Sequence, residues 1–102
     1  MSKLTRRGVK KLSGLPALAA LNGTHQTPDA ADAAFRALLD EASTLGVDIL
    51  AADERSLASG TRERKHDLHV AGTEDELYTD SVLVEQMYDH EDGRREVTAY
   101  FS

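Results

Sequence analysis

From Thr27 to Gly46 the chain carries one long amphipathic helical pattern, and any fold must bury its apolar face. Thr27 suits the N-cap and Pro28 the first helical position. Asp29 and Asp32 lie where the helix dipole favours negative charge. Ala31, Ala34, Phe35, Leu38, Leu39, Ala42 and Leu45 recur at three- and four-residue steps, giving a single apolar stripe. Gly46 is the expected residue just past the end. Upstream, Pro16 can open a short helix through Leu21, which Asn22-Gly23 then ends.

After residue 46 the period changes. Residues 47–60 read two ways. Val47, Ile49 and Ala51 alternate as a short strand would, but Asp48 can cap a helix running through Ala58 with Gly60 as its stop. The helix formers Ala51, Ala52, Glu54, Arg55 and Ala58 favour the helix. The charged residues 61–65 read as a surface connection. Leu68 and Val70 then alternate with polar neighbours as a strand, and residues 72–76 form an acidic turn. Residues 81–88 are strand-like, with Val82, Leu83, Val84, Met87 and Tyr88. Asp89-His90-Glu91-Asp92-Gly93 reads as a hairpin loop, and residues 96–101 return as the last strand.

These pieces predict an α+β fold. Two or three N-terminal helices pack on a small C-terminal antiparallel sheet, a three-stranded meander ending in a β-hairpin. Residues 1–14 form a basic arm, and residues 15–102 form a single α+β domain. The length of 102 residues fits one domain with one modest core. The last strand is expected at a sheet edge, where pairing with a second copy would give a homodimer.

Composition narrows the chemistry. No cysteine is present, which excludes disulfides, thiolate zinc sites and a cysteine nucleophile, and fits a reducing cytoplasm. The longest apolar stretch, residues 15–21, is too short to span a bilayer, so no membrane role is expected. No Gly-x-Ser-x-Gly elbow, phosphate-binding glycine loop or His-Glu-x-x-His occurs. No cofactor is expected, and the chain reads as a non-enzyme. The one catalytic alternative is a small metal-dependent enzyme using His66, His69 and His90.

Charge points to partners. Lys3, Arg6, Arg7, Lys10 and Lys11 give the first eleven residues +5 with no acid, so a net charge of −6 leaves −11 on the remainder. The arm can neutralise phosphates, which supports a nucleic-acid-binding regulator such as an antitoxin or repressor. It contains no aromatic residue for base stacking. Near the other terminus, Glu74, Asp75, Glu76 and Asp80 lie at one end of the expected hairpin. Asp89, Glu91 and Asp92 lie at the other, with Glu85 and Glu96 between them. At about 3.3 Å per strand residue this makes an acidic stripe of roughly 25 Å. Tyr78 and Tyr88 beside it suit an interface. The leading expectation is therefore a small acidic protein that occupies the basic surface of a protein partner, including a nucleic-acid-binding protein or complex. Inhibitors carried by phages and mobile elements, anti-CRISPR and antirestriction proteins among them, act in this way. The likeness is one of size and charge.

Overall fold

The computed structural model describes residues 11–50, 52–57, 59–71 and 82–102. The architecture is mixed α+β, with a five-stranded sheet and a separate two-stranded sheet. Residues 11–13 are helical, and α1 (Pro16–Leu21) follows. Strand β1 (Gly23–His25) precedes the long helix α2 (Pro28–Thr44). Strands β2 (Val47–Ile49), β3 (Glu54–Ser56), β4 (Arg62–His66) and β5 (Leu68–Val70) come next. A hairpin of β6 (Leu83–Asp89) and β7 (Arg95–Phe101) completes the described chain.

Helix α2 forms where its pattern predicts. The Thr27 hydroxyl accepts a hydrogen bond from the Ala30 N–H at 3.1 Å, satisfying one donor of the first turn. Gly46, at φ 85°, takes the left-handed conformation that turns the chain out of the helix. Ala31, Leu38 and Ala42 are buried, and Ala34, Phe35 and Leu39 pack against the core. Leu45 departs from the predicted stripe: it follows the last helical turn and is 47% exposed. Glu41 of α2 accepts from the Ala17 N–H at 3.1 Å and so serves the otherwise open start of α1.

All pairings in the large sheet are antiparallel, in the order β1-β7-β6-β4-β3. Leu83, Met87, Val97 and Ala99 share one core with Leu18 and Leu21 of α1, with Leu38 and Ala42 of α2, and with Val47, Ile49 and Leu68 of the small sheet. Leu12 is also fully buried there, inside the stretch assigned from sequence to the basic arm. Both long hairpins use one turn design. Leu57 N–H donates to Thr61 and Gly60 N–H to Leu57, while His90 N–H donates to Arg94 and Gly93 N–H to His90. Gly60 and Gly93, at φ 85° and 93°, supply the left-handed residue of that three-residue loop.

Four expectations are corrected. The described part of residues 47–60 holds strands β2 and β3 rather than a helix, because Val47 and Ile49 point together into the core while β5 supplies a pairing partner; Ala51 and Ala58 lie outside the described residues. Residues 61–65 are not a surface connection: β4 lies between β6 and β3. Strand β5 exists but pairs with β2, so the predicted three-stranded meander is replaced by five strands. The chain changes sheets at Asp67, between His66 of β4 and Leu68 of β5. Strand β7 is not the edge strand, since β1 pairs with it from Arg95 to Val97. Beyond β1, the Asn22 side chain takes over: its Nδ2 donates to the Ala99 carbonyl and its Oδ1 accepts from the Ala99 N–H, both at 2.9 Å.

Candidate functional site

Alternation along the strands gives the large sheet two unlike faces. Leu83, Glu85 and Met87 of β6 face the core, opposite His66, Arg64 and Arg62 of β4. Val84, Gln86 and Tyr88 lie on the opposite face, across from Lys65 and Glu63 on one side and Tyr100, Thr98 and Glu96 on the other; of these three only Tyr88 is exposed, and Val84 is buried. Tyr88 and Tyr100 are 40% and 43% exposed, and Glu96, Thr98 and Lys65 are exposed beside them. Tyr88 is held from two directions. Its ring meets His90 edge-on, with centroids 4.9 Å apart. It also lies beside Gly60, where an added Cβ would sit 3.8 Å from it. On the same face Glu63 is buried between Arg55, at 2.8 Å, and the Gln86 amide, at 2.9 Å. The Gln86 hydrogen bond chiefly holds its carboxyl below the usual range, with Arg55 adding to it.

A chain of alternating charges crosses the end of the sheet that carries both hairpin turns. Asp32 of α2 meets Arg95 at 3.5 Å, Arg95 meets Asp89 at 2.6 Å, Asp89 meets Arg62 at 2.9 Å, and Arg62 meets Glu54 at 3.4 Å. The Arg95 hydrogen bond holds the Asp89 carboxyl below its ordinary value, helped by the charges of Arg95 and Arg62. Asp89 in turn raises the Arg95 guanidinium. In the adjoining loop the Arg94 N–H and side chain lower Asp92.

The residues of the expected acidic stripe therefore have different fates. Tyr88, Asp89, Glu91, Asp92 and Glu96 lie together at the β6–β7 hairpin and are exposed. Asp89 and Asp92 carry arginine partners, so this tip is far less negative than its acids alone suggest. Glu85 leaves the stripe: it is 2% exposed and faces the core. Glu74, Asp75, Glu76, Tyr78 and Asp80 lie outside the described residues, as do Lys3, Arg6, Arg7 and Lys10 of the arm. Lys11 is exposed. His66, His69 and His90 sit on β4, on β5 and beside the hairpin turn, respectively. Among the described residues no group of three histidine or carboxylate side chains is placed to hold a metal ion. No helix among them is long and apolar enough to cross a membrane.

Sequence reasoning missed a buried polar cluster. Glu85 Oε1 accepts from Arg64 Nη2 at 2.8 Å and lies 3.3 Å from His66 Nε2. Phe35 of α2 covers both side chains on β4, with its ring 5.1 Å from the His66 imidazole and 5.7 Å from the Arg64 guanidinium carbon. The available signal was Glu85 itself, a single acid between Leu83-Val84 and Met87 at an inward position of an apolar strand. Nearby, Asp53, Glu54, Arg55, Glu63, Lys65 and Asp67 line an open groove of about 380 Å³. Comparison with known protein families, curated proteins and solved structures finds no match to this chain.

Proposed function

We propose that this chain is a non-enzymatic binding module that occupies a protein partner through the outer face of its large sheet. The observation that carries this reading is the pair of half-exposed tyrosines, Tyr88 and Tyr100, on the face turned away from the core. Tyrosine offers a large amphipathic contact at low entropic cost and is enriched among residues that dominate binding energy. Tyr88 is already fixed by His90 and Gly60, so docking on it orders little that was free. A partner with a basic surface suits the net charge of −6, and a nucleic-acid-binding protein or complex is the partner class this favours. Action as an inhibitor in the cytoplasm belongs to the same proposal.

The test is affinity capture from the source cell's lysate, with nuclease, using the parent chain and a Tyr88→Ala/Tyr100→Ala variant. The expected result is a stoichiometric protein that survives nuclease with the parent. The variant should bind it at least about 30-fold more weakly, a loss on the order of 2 kcal/mol. Equal capture by a folded variant sinks the sheet-face reading. Recovery of nucleic acid, or of proteins that vanish with nuclease, moves the site to the arm of Lys3, Arg6, Arg7, Lys10 and Lys11.

A further inference from the structure

We infer that His66 carries a second ring proton, buried against Glu85, and that this proton fastens the β2–β3 connection to the large sheet. The argument begins with donors and acceptors. His66 Nδ1 lies 2.7 Å from the Leu50 carbonyl oxygen, which can only accept, so Nδ1 is a donor. A neutral imidazole has one N–H. Using it at Nδ1 leaves a lone pair on Nε2 directed at Glu85 Oε1, 3.3 Å away. Two acceptors facing each other in a dry site repel, whereas a proton on Nε2 makes the contact a charge-assisted hydrogen bond. Both residues are 2% exposed, so water does not intervene freely. Oε1 also accepts from Arg64, whose charge keeps negative charge on that oxygen, which places the proton on the histidine.

The surroundings fit two cations around one carboxylate. Helix α2 contributes the Phe35 ring, whose π face attracts both cationic side chains. The segment after β2 contributes the Leu50 carbonyl. Strand β6 contributes Glu85 and the Met87 sulfur, which Arg64 also reaches at 3.3 Å. Strand β3 contributes Glu54, opposite Arg64 in register, and β7 contributes the uncharged Ala99 opposite Glu85. Leu50 donates its own N–H to Asp67 at 3.0 Å, so the ring ties β4 to the point where the small sheet meets the large one. Removing the proton with base turns the contact into repulsion and loosens this corner.

The full chain, labelled with ¹⁵N histidine, tests the inference by long-range ¹H–¹⁵N correlation across pH. Near neutral pH both ring nitrogens of His66 should be protonated. A bare Nε2 throughout the range in which the fold persists overturns the proposal. In Glu85→Gln the new amide can donate to a bare Nε2, so this variant should show an unprotonated Nε2 under the conditions in which the parent shows it protonated. An Nε2 proton retained in the variant also overturns it. Should the variant fail to fold, the parent spectrum alone decides. The fastening has its own readout: hydrogen exchange at Leu50 N–H should accelerate as the proton leaves, beyond the base catalysis seen at α2 amides. Parallel behaviour at the two places refutes that part.

Discussion

Asn22 shows how much a single side chain can settle. Its amide presents a donor and an acceptor to Ala99 as a strand backbone would, and Nδ2 also donates to the Leu18 carbonyl at 3.0 Å. Asn22→Ala removes these bonds and leaves the partners on β7 and α1 without them. The expected cost is about 1–3 kcal/mol, read from the urea midpoint at unchanged slope. A loss within about 0.3 kcal/mol would mean that water replaces the amide fully. Asn22 was readable from sequence as the end of α1, because an Asn-Gly pair after an apolar turn stops a helix. Its partner 77 positions away was not, because nothing local encodes it. Glu85 carries the same lesson. A lone acid in a strand reads as a solvent-facing residue until Arg64 and His66 are known to sit opposite on β4.

At the scale of elements, legibility followed the hydrophobic pattern. Helix α2 and the β6–β7 hairpin were readable because their apolar residues repeat at a definite period and their caps and turn glycine agree with it. Strand β4 was not. Its sequence, Arg62-Glu63-Arg64-Lys65-His66, contains no aliphatic residue, and it holds its place through cross-strand ion pairs that only the register reveals. Residues 47–60 misled for another reason: their alanines favour a helix locally, while the pairing of β2 with β5 and β3 with β4 outweighs that preference. Helix α2 offers a sharp contrast for experiment. Leu38, fully buried, should cost about 2–5 kcal/mol as Leu38→Ala. Leu45, one turn past the packed face, should cost no more than about 0.5 kcal/mol as Leu45→Ala. Equal losses in denaturant unfolding would show that the helix is not docked as described.

At the scale of the whole molecule, charge is organised into pairs that respond to acid. Asp89, Asp92 and Glu63 are all held below their ordinary values by hydrogen bonds and arginine neighbours. A carboxyl lowered in the folded state binds its proton more readily when unfolded. Its contribution is therefore present above the ordinary carboxylate range and lost as pH falls through the lowered value. Stability should decline on that acid side, and Asp89→Asn should flatten part of the decline. Identical urea midpoints from pH 7 to pH 3 would refute the linkage. The β7 edge has a last consequence, for chemical lifetime. Asn22 precedes Gly23, and in an Asn-Gly pair the following backbone nitrogen can close on the side-chain carbonyl and expel ammonia. Here that amide is engaged by Ala99 and Leu18, so ring closure must wait until the edge opens. The interval between such openings sets how slowly the chain ages at this position, and the same three contacts that close the sheet act as its preservative.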